Sequence, residues 1–231
     1  MKHHAIVGAL VVLAAATAAA SEPYRSFERE FPAAELERLS LEVRLGEITV
    51  EAADVSVVRI VVDVRCGSGL FERGCRRRAE DVDLRERSRD GYLDLDVTGL
   101  PAFSAIGVKV HTLVTMPVGL DTRLELGIGE IEVRGVEGEL VVDLGIGQVD
   151  VRAGGSVEVD AGIGEVSVEV PARVVGQASV EVGIGQSTLV HPDGRLTKAG
   201  VLGSENEWRA GEGTEAVRVE LGIGEARLVV R

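Results

Sequence analysis

Apolar and polar residues alternate strictly over short stretches of this chain, and a recurring tetrapeptide interrupts the alternation. Leu124-Glu125-Leu126, Val142-Asp143-Leu144, Val159-Asp160-Ala161, Val180-Glu181-Val182 and Val219-Glu220-Leu221 each read apolar, acidic, apolar. Each runs directly into Gly-Ile-Gly followed by Glu or Gln, at residues 127–130, 145–148, 162–165, 183–186 and 222–225. Period-two alternation is the mark of a strand with one face buried, here with the acid outside and the apolar residues inside. Carried through the tetrapeptide, the alternation points the Ile of each GIG inward. Beyond the second Gly the inward phase restarts, as at Ile131 and Val133 or Val149 and Val151. A phase change at Gly-Glu predicts a corner, where glycine supplies backbone angles that other residues resist.

The copies start 18, 17, 21 and 39 residues apart, the last gap being about two periods. Each unit therefore reads as a strand, a Gly corner, a second strand and a return turn. Gly135-Val136-Glu137-Gly138 and Ala153-Gly154-Gly155 are examples of the return. One such unit cannot bury its own apolar edge. Stacked about 4.8 Å apart, successive units form columns of like side chains around a dry interior. The fold class that follows is all-β: a single-chain β-solenoid of stacked coils of 17–21 residues with Gly corners. The five Ile are expected to form one inward column. A phosphate-cradling Gly loop is excluded, because no helix or Lys-Ser/Thr pair follows and the motif recurs in every unit.

Residues 39–120 hold a less regular version of the pattern. Leu41, Val43 and Leu45, then Gly46-Glu47, then Ile48 and Val50 form a degenerate first unit. Strands are expected around 57–64, 91–97 and 106–115. No segment beyond residue 40 shows helical periodicity, and Arg76-Arg77-Arg78, followed by Glu80, Asp81 and Asp83, reads as a solvated surface segment. Residues 21–38 read as an extended entry anchored by Phe27 and Phe31, and residues 192–213 as an irregular coil or inserted loop holding the single Trp, Trp208.

The first 20 residues differ in kind. Lys2, His3 and His4 precede an uncharged apolar run that ends in Ala18-x-Ala20, the pattern of a secretory signal peptide. Its removal takes the formal net charge from −13 to −14, since the segment carries one Lys and no acid. Such a charge disfavours nucleic acid and anionic membrane surfaces as partners, and no second apolar span predicts stable membrane insertion after cleavage. In an exported chain the two cysteines, Cys66 and Cys75, are expected to form a disulfide.

The early strand-Gly-Glu-strand unit, the stretch TMPVGLDTRLELGIGEIEV (residues 115–133) and the stacked GxGxVxV units resemble the bacterial adhesin-like domains also called toastrack domains. The resemblance covers roughly residues 30–231. It implies an exported β-solenoid of the bacterial envelope, whose relatives occur near envelope-stress signalling and assembly systems. It carries over no catalytic residue and does not account for the Cys66/Cys75 loop.

Candidate chemistry is sparse. His3 and His4 lie in the signal segment, His111 in a strand, and His191 before a Pro192-Asp193-Gly194 turn. No nucleophile elbow or zinc spacing is present. The carboxylates are the one candidate: Glu125, Asp143, Asp160 and Glu181 should stack as a column of like charge, which splays into water, is neutralised by basic neighbours, or holds calcium. A second column, Glu130, Gln148, Glu165 and Gln186, alternates carboxylate with amide and can satisfy itself by hydrogen bonding. The expected function is non-catalytic: a binding or structural module of the cell envelope, with no cofactor beyond such calcium and an envelope protein or glycan as partner. The alternatives are an adhesin for glycans or a surface, and, last, an enzyme acting on polysaccharide.

Overall fold

The structure is a computed structural model that describes residues 23–66, 72–100, 107–201, 203–209 and 213–231. The expected signal peptide lies outside the described residues. Long strands dominate: β2 (Arg38–Ala53), β7 (Asp121–Val136), β8 (Leu140–Ala153), β9 (Val157–Val170), β10 (Val175–His191) and β13 (Glu215–Val230). They pair in parallel and in register, in the order β2, β7, β8, β9, β13, β10. This is the all-β, solenoid-like stack read from the alternation.

Each long strand is two arms joined at the glycine corner. In β7 the buried residues nearest the corner are Leu124 and Leu126 before it and Ile131 and Val133 after it. Four residues separate Leu126 from Ile131, so the inward face passes from even to odd numbers across the corner. Both arms feed one continuous apolar core. The second glycine of each corner, such as Gly147 or Gly164, has φ between +138° and +149°, a region L side chains avoid. The corner therefore keeps its ladder pairing while the chain changes direction.

Shorter strands cover the ends of the stack, parallel to β2 at the start and antiparallel to β10 at the far end. At the start, the first arm of β2 pairs with β5 (Tyr92–Thr98), which pairs with β4 (Asp83–Arg89). The second arm pairs with β6 (Val108–Pro117), which continues to β3 (Val57–Cys66) and β1 (Arg25–Pro32). Phe27 and Phe31 of β1 pack on the core. At the far end, β10 receives β11 (Gly194–Gly200) on one arm and β12 (Ser204–Arg209) on the other. Residues 192–213 are thus largely a pair of capping strands rather than an irregular coil, and Pro192-Asp193 is the tight turn between β10 and β11. Such caps occupy backbone groups that would otherwise template aggregation.

Two further findings differ from the sequence reading. The 39-residue gap is not two coils passed in sequence: after capping the end, the chain returns and β13 inserts between β9 and β10. Residues Glu72–Glu80, expected to be non-helical, form α1. Among its described side chains the buried ones are Cys75 and Ala79, both fully buried. Two small residues four apart satisfy a helix without leaving a visible apolar period. Cys75 is bonded to Cys66 at the end of β3, with Cα atoms 5.7 Å apart, which ties α1 to the sheet.

A candidate binding ridge at the glycine corner

The isoleucines of the GIG corners do not line the core. Ile146, Ile163, Ile184 and Ile223 are 45–47% exposed, and Ile128 is half-buried. The expected inward column is an outward one. The physical reason lies in the spacing across the glycines: the inward residues Leu126 and Ile131 are five apart, an odd number, so period-two alternation cannot be counted through the corner. With Leu126 and Ile131 both inside, the apex between them must face water. The register adds a first rung, Leu45, and orders the ladder as Leu45, Ile128, Ile146, Ile163, Ile223, Ile184. Stacking on their neighbours shields about half of each side chain and leaves a straight aliphatic ridge along the stack.

Two acidic rails border the ridge. On the first arm the rungs are Glu42, Glu125, Asp143, Asp160, Glu220 and Glu181. The calcium candidates Glu125, Asp143 and Asp160 are therefore neighbours, but Glu181 is separated from Asp160 by Glu220. Arg123 lies between the first two, with Nε donating to Glu125 at 2.8 Å and Nη2 to Asp143 at 2.5 Å. Arg218 pairs with Glu220 in the interior of the rail rather than at its end. Burial pushes the Asp143 carboxyl above its ordinary range. Arg123 opposes the rise, while Glu125, Asp160 and Glu158 add to it. Among the described residues, no group of three or more carboxylate, His or Cys side chains converges on a point that could hold a metal ion.

On the second arm the rail is Glu47, Glu130, Gln148, Glu165, Glu225 and Gln186. Insertion of Glu225 breaks the expected alternation of carboxylate and amide. Among the described residues, neither Gln148 nor Gln186 donates to a neighbouring carboxylate, and Glu47, Glu130, Glu165 and Glu225 have no ion pair. On the first rail Glu42, Asp160 and Glu181 are likewise without one. Among the described residues, seven carboxylates without an ion pair thus flank the ridge.

Between the ridge and the first rail runs a trough of about 740 Å³. Its lining includes Gly127 and Gly145, Ile128 and Ile146 of the ridge, Glu125, Asp143 and Asp160 of the rail, and Arg44. Across the corner, a polar groove of about 680 Å³ lies on the second arm, where Arg195 and Thr197 of the cap face Gln186 and Arg227. The remaining ring cluster is structural: Trp208 stacks on His191 at 5.4 Å and donates to Asp193 at 3.0 Å, which fastens β12 to the β10–β11 turn.

No family model and no curated protein matches the chain. Its backbone does match solved structures. A provisionally named cell adhesion protein from Clostridium sporogenes ATCC 15579 aligns over 90% of this chain and 99% of its own, with a TM-score of 0.57 and 13% identity. A provisionally named adhesin from Bacteroides fragilis NCTC 9343 aligns over 89% and 97%, with a TM-score of 0.27 and 9% identity. A provisionally named lipid-binding protein from Parabacteroides distasonis ATCC 8503 aligns over 89% and 97%, with a TM-score of 0.25 and 10% identity. At these identities the likeness speaks to fold alone, and only the first match is close enough to use. The chain has the toastrack-type β-solenoid fold of that adhesion-protein structure.

Proposed function

We propose that this chain is a non-catalytic, exported binding module of the bacterial envelope, and that the corner ridge is its contact surface. The observation that carries the reading is the outward ladder of Ile146, Ile163, Ile223 and Ile184. A corner apex facing water gains only partial stacking on its neighbours from a large aliphatic residue, and leaves about half of it in solution, yet all five GIG corners place one there. A continuous exposed apolar strip edged by polar residues is the signature of an interaction site. The name of the Clostridium sporogenes structure and the resemblance to adhesin-like domains support the same class of function. Export is supported by the signal-like start and by the Cys66–Cys75 disulfide, which belongs in an oxidising compartment. Among the described residues, no helix is long and apolar enough to cross a membrane. A role in envelope-stress sensing or assembly rests on the family resemblance.

The test is retention of envelope components by the immobilised protein. The triple substitution Ile146→Ser, Ile163→Ser, Ile223→Ser should abolish retention while leaving the circular dichroism spectrum intact. Undiminished retention by a folded triple variant would remove the ridge from the function. An adhesin for glycans predicts instead that the polar groove near Arg195 and Arg227 is required, and that retention survives protease treatment of the extract.

A further inference from the structure

Resting on the reading of the ridge as the contact surface, we propose that its partner is a basic amphipathic α-helix of another protein, laid along the stack. Its apolar stripe would sit on the ladder from Leu45 to Ile184, and Lys or Arg on either side of the stripe would reach the two acidic rails.

Geometry selects a helix. Rungs of the ladder recur about every 4.8 Å. A helix advances 5.4 Å per turn and presents one apolar stripe at i, i+3, i+4 and i+7. Its turns drift from the rungs by only about 0.6 Å each, about 3 Å over the whole ladder. An extended strand brings same-side residues back only every 6.6–6.8 Å or so, and falls out of step within two rungs. Strand addition is also closed at the ridge, because backbone groups there are used in the parallel ladder between neighbouring coils. Six rungs span about 24 Å, the length of a helix of about 16 residues.

Charge selects its sign. Glu42, Asp160 and Glu181 on one side, and Glu47, Glu130, Glu165 and Glu225 on the other, have no ion pair among the described residues. A cationic helix supplies counter-charges to both rows while covering the ladder. A second copy of this chain would set rail against rail, and an anionic lipid surface would meet the same repulsion.

The probe is a synthetic helix of about 16 residues, with Leu along one stripe and Lys elsewhere. Its controls are a scrambled peptide of the same composition and a Leu/Glu helix. Titration calorimetry with the purified protein should show the Leu/Lys helix binding roughly tenfold or more tighter than either control, and more weakly as salt is raised. The triple Ser variant of Ile146, Ile163 and Ile223 should lose roughly tenfold or more in affinity. Glu130→Gln, Glu165→Gln and Glu225→Gln together should weaken binding and flatten its salt dependence. These Gln replacements keep side-chain size at exposed sites, so they test the proposal even if the Ser variant misfolds. Equal binding of the scrambled peptide or the Leu/Glu helix would overturn it. So would ridge-dependent self-association in sedimentation, or ridge-dependent binding to vesicles of anionic lipid. If the ridge is needed for envelope retention but no Leu/Lys helix binds, the contact surface stands and the helical partner falls. If retention ignores the ridge, both fall.

Discussion

Gly164 lies directly against Gly147 of the preceding coil, so close that a Cβ on Gly164 would sit 1.8 Å from the Gly147 carbonyl oxygen. That oxygen belongs to the backbone of the adjacent rung and cannot swing aside. Gly164 also has φ +149°, where an L side chain is strained before any contact is counted. Gly164→Ala should therefore destabilise by about 3 kcal/mol or more. At Gly119 an added Cβ meets nothing within 4 Å. Gly119→Ala should change stability by about 0.5 kcal/mol or less. Urea denaturation of the two variants checks the contrast, and similar losses would mean that the corner is not built by close backbone approach.

The inward and outward faces separate in the same way. Leu124 is fully buried, one step inside the first arm, whereas Ile163 stands half in water at the corner. Leu124→Ala should cost about 2–5 kcal/mol, the range for emptying a packed leucine site. Ile163→Ala should cost about 1 kcal/mol or less, since it removes stacking on neighbouring rungs but opens no cavity. Equal losses would show that the ladder of Ile is part of the core after all.

Much of the fold was legible because the chain repeats itself. Strict alternation names Leu124, Leu126, Ile131 and Val133 as core, and the repeat makes them a column. The apex was not legible by the same rule, since the inward residues either side of it, Ala161 and Val166, are an odd five apart, and alternation carried through the corner misplaces Ile163. The position of Glu220 between Asp160 and Glu181 was hidden for a different reason. Sequence order and spatial order part where β13 returns to fill the slot beside β9, and no local pattern records a long-range insertion. Helix α1 escaped because its buried stripe is Cys75 and Ala79, too small to register among arginines. A countable clue to the ridge did exist: four residues, an even number, stand between Leu126 and Ile131, so period-two alternation must break between two inward positions.

The Cys66–Cys75 bond closes a short loop between β3 and α1. In the chain-entropy account, closing such a loop stabilises by about 2–3 kcal/mol. Reduction should lower the melting temperature, and Cys75→Ser should match the reduced protein to within the cost of replacing a buried sulfur by a hydroxyl. Peptide mapping without reductant should recover residues 66 and 75 in one linked fragment. Quantitative thiol labelling of native, oxidised protein would contradict the bond.

Arg123 already bridges the first two calcium candidates, Glu125 and Asp143. A divalent ion would have to displace a guanidinium that bonds to both. Millimolar calcium should therefore raise the melting temperature no more than sodium at equal ionic strength, which only screens. Arg123→Ala removes the built-in counter-charge beside Glu125, Asp143 and Asp160, and a calcium-specific rise should then emerge. A calcium-specific rise in the unaltered protein, lost on changing Asp143 and Asp160 to Asn, would assign the metal to this rail.

Asp143 offers a test of the rail by pH. Burial raises its carboxyl above the ordinary value, and Arg123 at 2.5 Å only partly offsets this, because Glu125, Asp160 and Glu158 all add negative potential. A raised folded-state value means that the fold prefers the protonated acid. Ionised Asp143 then opposes folding at neutral pH. That penalty shrinks as pH falls through the folded-state value, and it is absent below the unfolded-state value of about 3.9, where both states are protonated. Asp143→Asn removes the charge but keeps an oxygen to accept from Arg123, whose bond to Glu125 is untouched. The variant should be more stable than the parent at pH 7, and the difference should close by about pH 3. Urea denaturation at both values checks the sign, and a carboxyl NMR titration of Asp143 gives the midpoint independently. A variant less stable than the parent at pH 7 would show that attraction to Arg123 outweighs burial and crowding.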